Sequence, residues 1–138
     1  MGKVIAIDFG LKRCGLAISD EKKSFAFPFK TVESTSLIKE LSNLFISENV
    51  DVIVLGFPKR LNNTLFEISN NILLLKEELH VKFPGKEIQL IDERFTSKIA
   101  SNAIAISGIK KKKKQDKALI DKLSATLILQ SYLKKTSL

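Results

Sequence analysis

Residues 4–10 read Val4-Ile5-Ala6-Ile7-Asp8-Phe9-Gly10, an apolar run that ends in a carboxylate and a glycine. Four consecutive apolar residues indicate a strand buried on both faces of a sheet, and glycine permits a tight turn after it. A carboxylate that is buried without a partner costs several kcal/mol. The position of Asp8 at the end of such a strand therefore indicates a functional acid rather than a core residue.

The segments that follow this run predict an antiparallel meander of three strands. A glycine-flanked turn separates the first run from a second one at 16–19, and a third extended stretch begins at Phe25. Pro28 marks an edge strand or a bulge, because proline cannot donate a hydrogen bond to a neighbouring strand. Phe25, Phe27 and Phe29 alternate at the strand period, which predicts core positions before a base-stacking platform.

Beyond position 36 the hydrophobic pattern changes to alternating helices and strands. Ser34, Thr35 and Ser36 offer N-caps for the first of these helices. The predicted elements are a helix over 37–45, a strand over 51–56, a helix over 65–79, a strand over 87–91, and helices over about 97–107 and 116–133. The order βββαβαβαα predicts an α/β fold, a mixed five-stranded sheet with helices on both faces, in a single domain over 1–138.

Composition is typical of a soluble globular protein and restricts the possible ligands. Hydrophobic residues make up 44% of the chain and charged residues 28%. No apolar run approaches the roughly 20 residues that cross a bilayer, and no signal peptide precedes the first strand, so we expect a cytoplasmic protein without a membrane partner. One cysteine, Cys14, and one histidine, His80, are too few for the usual zinc site. Any metal should therefore have oxygen ligands, with Cys14 a small filler and His80 a surface residue.

The formal net charge of +8 is concentrated towards the end of the chain. Residues 1–97 contain 13 lysines and arginines against 13 acidic residues, whereas residues 98–138 contain 10 lysines against two acids. Five of these lysines are consecutive, from Lys110 to Lys114. Such a segment is typical of a polyanion-binding surface, and equally of a solvated lysine-rich loop.

Two further acids stand where folding alone would favour an apolar residue. Glu93 follows an apolar strand-like run, and Asp121 interrupts an apolar helical pattern at 118–123. Ligands of such mixed sheets bind beyond the carboxyl ends of the strands, where Asp8 and Glu93 are both predicted to lie. A divalent metal that gathers the three acids explains their placement. For Asp121 taken alone, the simpler explanation is an exposed aspartate paired with Lys117.

Basic residues adjoin the predicted strand ends. Lys12 and Arg13 follow Asp8 in the predicted turn, where they are placed to contact phosphate. Lys59 follows the central strand, and it either contacts a nucleic-acid backbone or is simply solvated. Arg94 either pairs with the neighbouring acids or clamps a phosphate, and both roles can hold at different stages of a reaction.

The sequence resembles the YqgF family in blocks that run in order over 4–20, 51–64, 92–100 and 117–133. The combination of IDFGxKRxGLAISD, DERFTS and IDKLSATLILQSYL is far more specific than any one block. Members of the family are described as Holliday-junction-resolvase-like proteins and as nucleases that mature the precursor of small-subunit ribosomal RNA. The resemblance implies a ribonuclease-H-like fold, in agreement with the element order.

The resemblance also implies the catalytic residues. Asp8, Glu93 and Asp121 match the family's acidic metal-binding residues, and they would hold one or two Mg²⁺ or Mn²⁺ ions at a scissile phosphate. The lysine run matches a basic loop before the last helix. The residues expected to contact substrate are Lys12, Arg13, Lys59, Arg94, Lys112 and Lys113.

The function implied is a metal-dependent nuclease, a hydrolase of phosphodiester bonds in structured RNA, with the precursor of 16S rRNA as the first-choice substrate. The alternatives are a resolvase-like nuclease on branched DNA and a non-catalytic nucleic-acid-binding factor in ribosome or transcription processes. The expected oligomeric state is a monomer or a weak homodimer. The sequence departs from the family pattern in the loops at 11–14 and 61–64, which spares the three acids but leaves the substrate contacts open.

Overall fold

The computed structural model describes residues 2–58, 63–93 and 113–136. The strands are β1 (Lys3–Asp8), β2 (Arg13–Ser19), β3 (Ala26–Glu33), β4 (Val50–Pro58) and β5 (Glu87–Glu93). The helices are a short 3₁₀ turn (Ser34–Ser36), α1 (Leu37–Ser47), α2 (Asn63–Lys82) and α3 (Lys113–Thr136). The described elements follow the predicted order, although β2 begins at Arg13 rather than at position 16. The predicted helix over 97–107 lies outside the described residues.

The strands form one sheet in the order β3-β2-β1-β4-β5. β1 pairs with β2, and β2 with β3, in antiparallel fashion, whereas β1, β4 and β5 are parallel. This arrangement confirms the predicted mixed sheet and its opening meander. The carboxyl ends of parallel strands lie at the same end of a sheet. Asp8, Pro58 and Glu93, the last residues of β1, β4 and β5, therefore all stand at one end of this sheet.

Helices cover both faces of the sheet, as predicted. Ile5 and Ile7 of β1 pack in an apolar cluster with α1 and α2. Val4 and Ala6, which alternate with them, pack in a second cluster with α3. Each strand of this central region is thus buried on both faces, which explains its nearly continuous apolar sequence. None of the described helices is both long and apolar enough to cross a membrane.

β3 forms the edge of the sheet, and Pro28 lies in it next to a register shift, as the sequence predicted. The prediction that Phe25, Phe27 and Phe29 are core residues is wrong. Their exposed fractions are 66%, 49% and 38%. Alternation along a strand predicts which face a side chain occupies, but an edge strand offers each face less cover than a central one.

Candidate active site

The ends of β1 and β5 deliver two of the predicted acids to the same edge of the sheet. Asp8 is the last residue of β1, and Glu93 is the last residue of β5, paired in register with Pro58 of β4. With β4 between them and neighbouring strands about 4.8 Å apart, the two backbones are separated laterally by about 10 Å. The side chain of Glu93 is outside the part of the chain that the structure describes.

Asp8 lies on the face of the sheet that α3 covers. It continues the alternation of Val4 and Ala6, whose side chains pack in the α3-side cluster. Its partner in register on β2 is Gly15. Asp8 is only partly buried.

Gly15 allows α3 to approach the sheet beside Asp8. A Cβ atom at this position would overlap the main-chain carbonyl oxygen of Asp121. Because Gly15 has no side chain, the main chain of α3 can lie directly against β2. The backbone of Asp121 is therefore next to the pair of strands that carries Asp8. Two of the three predicted acids are gathered in this way, although they are 113 residues apart in the sequence.

Asp121 is held by a basic residue of β2 rather than exposed. Arg13 Nε donates a hydrogen bond to Asp121 Oδ2 at 2.5 Å, and the side chains are 38% and 23% exposed. The sheet-facing row of α3 continues with Ser124, Ala125 and Ile128, all of which are buried. Arg13, predicted to contact phosphate, thus lies within the site and also orients one of its acids.

The loop between Asp8 and Arg13 is fixed by Ser34, whose role the sequence did not reveal. Its hydroxyl donates to the carbonyl oxygen of Gly10 at 2.6 Å, and its main-chain N–H donates to the carbonyl oxygen of Lys12 at 3.0 Å. Ser36, one of the three residues that the sequence offers as N-caps, stands at the N-cap of α1, although its side chain makes no capping hydrogen bond. No local signal could distinguish Ser34 from a cap, because its partner lies 24 residues earlier in the sequence.

Cys14 lies beneath this loop as an inert filler, as predicted. Its side chain is fully buried, with Sγ 3.5 Å from Ser34 Oγ. Burial raises the pKa of the thiol, and the charges of Asp8 and Asp121 raise it further. A buried neutral thiol is a poor nucleophile and a poor metal ligand. His80, also as predicted, is exposed in the last turn of α2.

The predicted substrate-binding residues are only partly described. Lys12 is exposed on the loop that follows Asp8. Lys59, Arg94 and Lys112 lie outside the described residues, as does the side chain of Lys113 at the start of α3. Among the side chains that the structure describes, no group of three or more potential metal ligands occurs, and the side chain of Glu93 is not among those described.

Comparison with known proteins identifies the family. Residues 2–135 match the family model described as RuvX: Holliday junction resolvase. The chain belongs to the RuvX family. This confirms the resemblance to YqgF proteins, and with it the prediction of an enzyme of the nuclease class, a hydrolase of phosphodiester bonds.

Relatives in the RuvX family match the chain over nearly its full length. A protein from Christiangramia forsetii is 42% identical over 133 residues, which are 96% of this chain and 98% of the relative. A protein from Bacteroides fragilis is 41% identical over 133 residues, 96% of each chain. Both bear the name "Putative pre-16S rRNA nuclease".

Solved structures confirm the fold. RuvC of T. thermophilus in complex with a Holliday junction substrate gives a TM-score of 0.55 at 12% identity and covers 99% of this chain and 96% of that one. A second structure of Thermus thermophilus RuvC gives 0.52 at 12% identity, covering 98% and 96%. This likeness shows the ribonuclease-H-like fold that the resemblance to the YqgF family implied.

Proposed function

We propose that this chain is a metal-dependent nuclease that cleaves phosphodiester bonds in the precursor of 16S rRNA. Family membership supports nuclease chemistry, and the two relatives at about 40% identity carry the name of this substrate. The observation that carries the proposal is that Gly15 pairs with Asp8 and lies against the main chain of Asp121, at the end of the sheet where β5 ends in Glu93.

Asp8, Glu93 and Asp121 are the metal-binding residues in this proposal. Ile91, two residues before Glu93 on β5, packs on the α3 side of the sheet. An oxygen-only donor set suits Mg²⁺ or Mn²⁺ rather than zinc. When bound, such ions activate a water and stabilise the leaving oxygen at the scissile phosphate.

The basic residues around the acids hold the substrate. Arg13 keeps the Asp121 carboxylate oriented, because its guanidinium donates to Oδ2 from the neighbouring strand. Lys12 projects from the loop after Asp8 and neutralises a phosphate of the bound strand. We assign further phosphate contacts to Lys59, Arg94, Lys112 and Lys113, which the sequence puts in the loops that follow the strand ends and before α3. Each phosphate neutralised adds a slope of roughly 0.7–0.9 to the fall of log K with log salt.

Branched DNA is the second candidate substrate, because the family description names a Holliday junction resolvase. A resolvase cuts two strands symmetrically, which requires a dimer. We propose a monomer or weak homodimer in the cytoplasm, an arrangement that suits processing of a ribosomal RNA precursor better than resolution of a junction.

The test is cleavage of a 16S rRNA precursor fragment and of a four-way DNA junction, each incubated with Mg²⁺ or Mn²⁺. Wild type is compared with Asp8→Asn and with Asp92→Asn, which alters an exposed neighbour of Glu93. Metal-dependent cleavage of the RNA that Asp8→Asn loses and Asp92→Asn retains supports the proposal. Cleavage of the junction alone favours the resolvase, and binding without cleavage by any of the three proteins favours a non-catalytic factor.

A further inference from the structure

A groove lies at the end of the sheet opposite to the strand ends that carry the acids. This groove of about 750 Å³ lies between the turn that joins β2 to β3 and the last turns of α3. Tyr132 lines it, and it follows Asp121 by 11 residues on the same helix. At 1.5 Å per residue Tyr132 therefore lies about 16 Å along α3 from Asp121, and Gln130, the first residue of α3 to line the groove, lies about 14 Å from it.

The groove is basic and partly aromatic. Of the described residues that line it, three are lysines, namely Lys22, Lys23 and Lys134, and none is acidic. Lys22 and Lys134 are exposed. Lys23 Nζ donates to Asp51 Oδ2 at 3.1 Å, so this lysine also ties the wall of the groove to the start of β4. The lining therefore combines positive charge with the rings of Phe25 and Tyr132.

Phe25 is presented to solvent by an ordered turn. Asp20 Oδ1 accepts hydrogen bonds from the main-chain N–H groups of Ser24 and Phe25, both at 2.8 Å. Lys23 in the same turn adopts φ 58°, a left-handed conformation that is uncommon for lysine. These constraints order the main chain at Phe25, whose side chain is 66% exposed. An exposed ring on an ordered main chain beside lysines is well suited to stacking, because the backbone that carries it loses little conformational freedom on binding.

We propose that this groove binds a single-stranded segment of nucleic acid. Bases stack on Phe25 and Tyr132, and Lys22 and Lys134 contact the backbone phosphates. Aromatic rings combined with a cationic groove are the usual means of holding single strands without sequence preference. The inference rests on the proposed function for the identity of its ligand, since the segment is a part of the RNA substrate that extends beyond the cleavage site.

Binding of RNA to the groove can be measured by fluorescence without any cleavage. The chain contains no tryptophan, so an introduced tryptophan is the only indole that responds. Phe25→Trp introduces a single indole fluorophore into the groove, and Phe27→Trp introduces one at an exposed position that lines a different cleft. Each protein is titrated in EDTA with single-stranded RNA of about 12 nucleotides, within the site sizes usual for such grooves. We expect base stacking to quench the indole fluorescence of the Phe25→Trp protein saturably, and we expect little change in the control.

Two further variants measure the two parts of the interaction. Phe25→Ala should weaken binding of the same RNA about tenfold, the usual effect of losing one stacking ring. Lys22→Gln should lower the slope of log K against log salt by about 0.7, the contribution of one phosphate on a single strand. Neither change should alter cleavage of a dinucleotide, which is too short to reach from the acids to the groove.

The outcomes separate this inference from the proposed nuclease activity. Absence of quenching in Phe25→Trp, or equal quenching in both tryptophan variants, overturns the groove proposal even if the enzyme cleaves RNA. Quenching confined to Phe25→Trp, together with weaker binding by Phe25→Ala, supports it even if no cleavage is found. If quenching and weaker binding are found without any cleavage, the proposed nuclease function is refuted and the proposal that the groove binds a single strand is supported.

Discussion

Arg13 Nε donates a hydrogen bond to Asp121 Oδ2 at 2.5 Å, and this pair joins β2 to α3 across 108 residues of sequence. Asp8 approaches the same point from β1 through its partner Gly15. Two carboxylates in one site repel each other unless cations offset their charge. Arg13 supplies one such charge permanently, since a guanidinium stays protonated at any physiological pH. Its first role is therefore to keep the carboxylate of Asp121 oriented.

We expect Arg13→Gln to weaken metal-dependent cleavage by roughly 10- to 100-fold, the usual effect of removing a partner that orients a metal ligand. The loss should take the form of a higher Mg²⁺ concentration at half-maximal activity, because Asp121 is no longer held for the ion. Stability should change by less than about 1 kcal/mol, since the pair is partly exposed. The measurement is the rate of cleavage over a Mg²⁺ titration, beside urea unfolding.

Lys12→Gln is the matched control, because it removes a positive charge from the exposed side of the same loop. It should change the salt dependence of RNA binding and leave the Mg²⁺ requirement as it is. Equal Mg²⁺ titrations for wild type and Arg13→Gln would contradict the role assigned to Arg13.

Gly15→Ala should disrupt the site through the backbone. The added Cβ would overlap the carbonyl oxygen of Asp121, so α3 must move away from β2. Overpacking of this kind costs about 1–3 kcal/mol, and displacement of Asp121 from Asp8 should abolish most cleavage. Gly85→Ala is the control, since nothing lies within 4 Å of a Cβ there. Urea unfolding and the cleavage assay, run on both variants, check the prediction, and an active, stable Gly15→Ala protein would refute it.

The architecture and its acids could be predicted from local patterns, because each depends on nearby residues. The apolar run before Asp8 specifies a buried strand, and the regular row of Asp121, Ala125 and Ile128 specifies a helix face. Both patterns survive in the structure, where Ala125 and Ile128 pack on the sheet.

The contacts that complete the site could not be predicted, because they join distant segments. Arg13 reaches Asp121 from another element, 108 residues away in the sequence, and no pattern local to Asp121 indicates this contact. Ser34 similarly holds Gly10 rather than capping a helix. The exposure of Phe25, Phe27 and Phe29 was missed for a related reason. The alternation of residues along a strand predicts which face of the sheet a side chain occupies, but not whether another element covers that face.

The turn that presents Phe25 should be sensitive to acid. The hydrogen bond from the main-chain N–H of Phe25, with a further one from Ser24, holds the pKa of Asp20 below its ordinary value of 3.8. A carboxyl group whose pKa is depressed in the folded state contributes stability above its unfolded pKa, and that contribution is lost as pH falls through the folded value. Asp20→Asn should therefore lower the Tm at neutral pH, and the difference from wild type should shrink below about pH 3.8.

Thermal unfolding of both proteins over a pH series measures this difference. Glu21→Gln removes an equal charge from the same turn, so a general charge effect would change both variants alike. A pH-independent difference between wild type and Asp20→Asn would mean that these hydrogen bonds do not depend on the carboxylate charge.

Metal binding should stabilise the folded protein in a way that depends on the acids and not on turnover. Asp8 and Asp121 share one region of the protein, where Arg13 forms an ion pair with Asp121. A ligand that binds only the folded state stabilises it by about 2.7 kcal/mol when its concentration is 100 times Kd. Mg²⁺ or Mn²⁺ should accordingly raise the Tm of wild type by several degrees, with a smaller rise for Asp8→Asn and Asp121→Asn. Asp92→Asn, on the exposed side of β5, should respond as wild type does. Equal shifts in all four proteins would assign the ion to another site and remove the metal centre from the proposal.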